Sequence, residues 1–270
     1  MSALVFAQAG GGGGVGCKPA PSDLGTFPDA FDFIAEERES ISGGVCIGGP
    51  GELIDLAGSH MEVSLVALAV AIVLAAPVGL WLGHIGRGEF LAVSVSNVGR
   101  AVPALALLAF FVAFVGIGFT NVALVLTLLA LPPILTNTYV GIRQVDRETV
   151  DAARGVGLSE LQIVRRIELP LALPIIFAGI RLSAVAVVAT ATIAPLGNVR
   201  SLGNPIIEPQ TYGLAGQLGA AIVVALITLA VDGSLAAMQR ALTPRGLRRS
   251  GPRLRLLRAY FPTRRQTEAP

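Results

Sequence analysis

Apolar runs of about twenty residues recur along this chain, long enough to cross the roughly 30 Å hydrocarbon core of a bilayer as helices. Five are read from the sequence, at about residues 63–82, 101–119, 122–142, 174–195 and 214–238. Lipid offers no hydrogen-bond partner, so such runs are held to helices that satisfy their own backbone groups. The chain is 53% hydrophobic and 14% charged, where a soluble domain carries about 25% charged residues. These features predict an all-α, polytopic membrane protein whose first partner is the lipid bilayer. No nucleic-acid partner is expected.

The flanks differ from the runs. Residues 1–50 are rich in Gly, Pro, Ser and acidic side chains, with a glycine tract at Gly10–Gly14. Two basic and eight acidic residues precede Met61, which predicts a flexible, extracytoplasmic tail. The apolar start, Met1 to Ala9, is too short for a signal peptide and lacks a basic end. Cys17 and Cys46 both lie before the first run; they pair if that region faces an oxidising compartment, or remain two thiols. Residues 51–60 are expected along the membrane surface, with His60 solvated at the interface, at the start of a membrane domain spanning 51–242. From Arg240 onward there are nine arginines and one glutamate, so 243–270 reads as a basic tail.

Several positions interrupt the runs. Asn97, Gly99, Arg100 and Pro103 break the second, as either a cavity-lining broken helix or a plain proline kink. Pro132 and Pro133 fall in the middle of the third, and their freed carbonyls require protein or water beside them. Tyr139 either offers its ring face to a cation or packs. With Asn97, Pro103, Asn137 and Thr190, it makes up the candidate lining of a translocation path. Arg181 lies about 16 Å along the fourth run from Pro170, and Asp232 about 12 Å before Arg240 in the fifth, at 1.5 Å per residue. Equal depth predicts an Arg181–Asp232 ion pair, because a lone intramembrane charge is costly unless it snorkels or finds a partner.

The longest well-charged stretch between apolar runs is Val150 to Pro170. Leu158, Leu161, Ile163, Val164 and Ile167 recur mostly at helical spacing. Gly155 and Gly157 mark a turn and Pro170 a stop, so a helix, a turn and a second short helix are expected. Asp151-Ala152-Ala153, then Gly157, then Ile167-Glu168-Leu169-Pro170 closely resembles the EAA loop (E-A-A-x3-G-x9-I-x-L-P) of the permease subunits of binding-protein-dependent ABC importers. The one departure, Asp151 for Glu, keeps the charge. Residues 137–146 and 242–247 resemble the osmoprotectant branch, which carries glycine betaine, choline or carnitine. The resemblance covers roughly 50–247. In the outer loop at 195–213, Asn198, Val199 and Arg200 stand where the family has more glycines.

The resemblance implies a type I importer permease fold with five transmembrane helices, in which the loop 147–170 seats in a cytoplasmic ATP-binding subunit. There Asp151 caps a helix or meets a partner's arginine, and Ala152 and Ala153 allow close approach. Its other implied partners are an extracytoplasmic solute-binding protein and a second permease chain, identical or related. ATP would be used by the partner; no cofactor or metal is expected on this chain. Basic residues collect on the cytoplasmic side, so the elbow and the arginine tail belong there. Two spans separate them, which puts the N-terminus outside a bacterial or archaeal cell membrane. No Walker loop, zinc spacing or paired catalytic carboxylates are present, so the chain reads as a non-enzyme. Other readings are an importer for a different solute such as an amino acid, an ion-gradient-driven secondary transporter, and a membrane enzyme.

Overall fold

The computed structural model describes residues 17–19, 27–90, 94 and 102–243. Asn97, most of the expected N-terminal tail before Phe27 and the arginine-rich segment after Thr243 lie outside the described residues. In order, the elements are α1 (Phe27–Ala35), β1 (Glu37–Glu39), β2 (Cys46–Gly48), α2 (Gly49–Ile85), α3 (Ala104–Val115) and α4 (Phe119–Arg143). There follow α5 (Arg147–Gly155), α6 (Glu160–Ile163), a π-helical turn (Val164–Glu168), α7 (Leu169–Thr190), a 3-10 turn (Ala191–Gly197), α8 (Asn204–Ile207) and α9 (Pro209–Leu242). β1 and β2 form one antiparallel pair, with Arg38 opposite Ile47.

Among the described residues, four helical stretches are long and apolar enough to cross a membrane: Gly49–Ile85, Phe119–Arg143, Glu160–Gly197 and Pro209–Leu242. The second expected run, 101–119, is represented only by α3, whose 12 residues reach about 18 Å, short of a crossing. Gly116 at φ 83° and Gly118 at φ 140° end it, in backbone space that side chains rarely adopt.

Small residues set the helix seams. A Cβ at Gly79 would lie 2.8 Å from Thr138 Cβ, and one at Gly83 would lie 2.8 Å from Ile142 Cβ. Near the other end, Thr127 Oγ1 donates to the Ala67 carbonyl at 3.4 Å. These contacts keep a nearly constant offset, so α2 and α4 run parallel. On α4's other face, Ser183 Oγ donates to the Ala130 carbonyl at 2.9 Å. A Cβ at Gly179 would lie 2.6 Å from Asn137 Cβ, and one at Gly141 3.3 Å from Ala172 Cβ. That pairing is antiparallel, as is α7 against α9. Because α2 and α4 are parallel, the end of α2 and the start of α4 lie at opposite ends of the bundle; α3 is the longest described element between them. The main apolar core lies between these helices, around Ala71, Leu126, Ile134 and Val187.

The far end of the bundle carries a folded cap. The expected flexible tail gives way, over residues 27–50, to α1 and the hairpin, and Cys17 is disulfide-bonded to Cys46. Phe33 is fully buried, edge-on to Tyr212 at 6.2 Å between ring centroids, and flanked by Gly216 and Gly219 of α9. The Tyr212 hydroxyl donates to Glu52 at 2.8 Å. Residues 51–60, expected to lie on the surface, instead extend α2 to 37 residues, about 55 Å at helical rise. His60 is consequently buried, not solvated: its ring faces α7, and Nε2 donates to the Val188 carbonyl at 2.9 Å. Polar spacing at the start of an apolar run concealed this, because the burial comes from α7, more than a hundred residues away.

Candidate functional site

The elbow between α4 and α7 projects from the opposite end of the bundle. Asp146 caps α5, accepting a hydrogen bond from the Glu148 amide at 3.1 Å, and so satisfies one of the helix's orphan donors. Val150 and Ala153 face inward onto Ile142, Val145, Ile163, Ala172 and Ile176. Gly157 turns the chain at φ 87° with open space around it. The Gln162 side chain then accepts from the Ser159 amide at 2.9 Å, opening α6.

The structure revises three expectations here. Asp151 does not cap: Asp146 does, and Asp151 instead accepts from Arg154 Nη1 at 3.1 Å. Of the two alanines, only Ala152 is exposed; Ala153 is buried within its own chain. Pro170 is not a stop, because helical backbone runs without interruption from Glu160 to Gly197. The lack of an N–H at Pro170 interrupts the hydrogen-bond ladder, and the π-helical turn just before it (Val164–Glu168) absorbs the change in winding. Ile167 and Leu169 pack on the buried cluster, and Pro170 is half-buried.

The outer surface of the elbow mixes charge and grease. Arg154 holds Glu160 through two hydrogen bonds, Nε at 3.0 Å and Nη2 at 3.1 Å. These bonds and Asp151 make the guanidinium still harder to deprotonate than usual. Beside them Val156 is 80% and Leu161 68% exposed, two apolar side chains displayed at the tip of a charged loop.

Beneath that surface is a network that sequence reasoning missed. Glu168, in the π-helical turn, is fully buried. His84, in the last turn of α2, places Nδ1 2.7 Å from Glu168 Oε2 and Nε2 3.1 Å from Glu160 Oε2. Arg147 Nη1 stands 4.0 Å from Glu168 Oε1. The signal in the sequence was a carboxylate between Ile167 and Leu169, on the apolar side of an otherwise amphipathic stretch.

Arg181 and Asp232 do meet: Nε and Nη2 reach the two carboxylate oxygens at 2.8 and 2.7 Å. Gln239 joins them, with Arg181 Nη1 at 3.5 Å and its own amide donating to the Pro174 carbonyl at 3.2 Å. Among the described residues, the proposed path positions are not gathered into one site. Tyr139 is buried against Leu82, and the Asn137 amide is spent on the Pro133 carbonyl at 2.8 Å. Pro103 is exposed at the start of α3, and Thr190 is half-buried at the end of α7, about 16 Å along the helix from Gly179, which touches Asn137.

A bundle of long apolar helices with one projecting elbow defines a multi-pass membrane protein. The chain belongs to the family described as the binding-protein-dependent transport system inner membrane component, whose profile matches residues 67–247. It is 33% identical over 203 residues to the glycine betaine/carnitine/choline transport system permease protein OpuCB of Bacillus subtilis, covering 73% of this chain and 91% of the relative. To the carnitine transport permease protein OpuCB of Listeria monocytogenes it is 36% identical over 190 residues, covering 70% and 87%. Among solved structures, an inward-facing form of the MetNI methionine ABC transporter shares the fold, with a TM-score of 0.62 at 20% identity, covering 71% of this chain and 96% of that one. Multi-pass membrane residence and a permease's part in transport follow from the family.

Proposed function

We propose that this chain forms half of the translocation pathway of an ATP-driven importer for an osmoprotectant such as glycine betaine, choline or carnitine. A second permease chain supplies the other half, and a solute-binding protein delivers the cargo from outside. A separate ATPase subunit drives it through the elbow from Asp151 to Pro170. The cargo class rests on the glycine betaine/carnitine/choline and carnitine permeases to which the chain is more than 30% identical. The observation that carries the coupling is the elbow tip, where Val156 and Leu161 stand exposed among charges; exposed apolar side chains on a short helical unit suit docking in a partner's groove.

Five crossings, with the N-terminus outside and the C-terminus in the cytoplasm, fit the parallel course of α2 and α4, which demands a return between them. The Cys17–Cys46 bond supports an outside cap, since disulfides persist in oxidising compartments. ATPase closure then moves the two permease chains as rigid bodies and opens the path to one side at a time.

The test is Leu161→Glu in the permease expressed with its ATPase and binding protein. Folded permease is expected at normal yield, with the ATPase lost on co-purification and choline uptake abolished. Unchanged co-purification and uptake would reject the elbow as the coupling surface.

A further inference from the structure

Glu168 has no place in the docking surface, since it is fully buried behind it. A carboxylate taken out of water is costly unless it is paired and hydrogen-bonded. Here the compensation comes chiefly from another helix: His84, at the end of α2, is 2.7 Å from Oε2. The His84 side chain is itself only 13% exposed, and its other nitrogen holds Glu160 of α6. Each ring nitrogen faces one of the two glutamates. One ring thus pins the last turn of α2 to both halves of the elbow's second helical segment. On the far side, Glu168 Oε1 and Arg147 Nη2 are both buried without a hydrogen-bond partner, and Arg147 Nη1 is 4.0 Å from Oε1. That gap is about 1 Å wider than a charge-assisted hydrogen bond.

We infer that Glu168 is a positioning residue that, through His84, makes the elbow and α2 move as one piece, so that partner-driven motion reaches α2 as well as α7. The inference rests on the reading of 147–170 as the ATPase-coupling elbow. Without the joint, the elbow is continuous only with α4 and α7, and α2 is left to follow through apolar packing. Arg147 is the second contact of the joint: a displacement of α5 by about 1 Å brings it into bonding range of Glu168. The free carboxylate oxygen and the free guanidinium nitrogen are the unfilled halves of that contact.

The experiment uses the complete importer in proteoliposomes, with ATP hydrolysis and choline uptake measured separately. Glu168→Ala and His84→Ala are expected to keep the ATPase bound and hydrolysing while solute moved per ATP falls about tenfold, within the usual range of coupling between sites. His84→Gln, which still offers an N–H to Glu168, is expected to recover part of that ratio. An uptake-to-ATP ratio equal to wild type in both alanine variants, or no recovery with His84→Gln, overturns the joint. As a check independent of folding losses, His84→Cys/Glu168→Cys is joined by a short thiol cross-linker in the assembled importer. Uptake that survives cross-linking is expected of two groups that travel together; uptake abolished by it overturns the inference. Failure of the underlying reading looks different, because the ATPase would then remain bound in the Leu161→Glu protein.

Discussion

The two ends of the bundle are held together by different chemistry. The cap is fastened by a disulfide, a buried phenylalanine wedged against glycines of α9, and the Tyr212–Glu52 bond. The elbow is fastened by short helices, a small apolar cluster and a chain of polar groups from Arg147 through Glu168, His84 and Glu160 to Arg154. Covalent and tightly packed contacts have one arrangement, whereas polar contacts can be exchanged for one another within an ångström or two. The coupling proposed above would use that distinction: a fixed end to receive a binding protein, and a remakeable end to be pushed.

The contrast breaks most severely at Phe33. Phe33→Ala is expected to cost the cap about 3–5 kcal/mol, seen as faster hydrogen exchange over residues 27–48 with no change over 147–168. Faster exchange at both ends would mean the two regions are not independent. Next in size is Cys46→Ser, expected to lower the cap's stability by about 2–4 kcal/mol. The check is limited proteolysis of detergent-solubilised protein, with cleavage between Phe27 and Gly48 accelerated and ATPase co-purification unaltered. Smallest is Asp146→Ala, which removes the α5 cap and is expected to cost about 1 kcal/mol locally. It sharpens the comparison by loosening only the elbow, read as exchange over 147–155 and a modest drop in uptake at unchanged cap protection.

The apolar runs were legible because lipid leaves the backbone a single solution, and four of the five expected spans fall within longer helical stretches. The Arg181–Asp232 pair could be found by counting residues, since an intramembrane charge has few places to go. The elbow's turn at Gly157 was equally plain. What the sequence hid was burial supplied from elsewhere in the chain. His60 and Tyr139 look like surface or cavity residues until α7 and α2 cover them. Residues 27–50 read as loose because acidic, Gly-rich composition says nothing about a disulfide or about a phenylalanine finding glycines almost two hundred positions later. Glu168 was quoted as part of a motif, yet its partner His84 lies across the fold, where no local pattern points.

The clasp among Arg181, Asp232, Gln239 and the Pro174 carbonyl has a consequence for how the protein is made. During synthesis α7 emerges well before α9, and its arginine has no carboxylate to meet until then. An orphan arginine among apolar residues is poorly tolerated by lipid, so α7 has to wait beside the translocon, or sit shallow, until its mate arrives. Chains truncated before Pro209 should therefore leave α7 open to water-soluble thiol reagents at cysteines introduced along it, and full-length Asp232→Ala chains should share the defect; full protection of α7 in both would show that it enters the bilayer unaided.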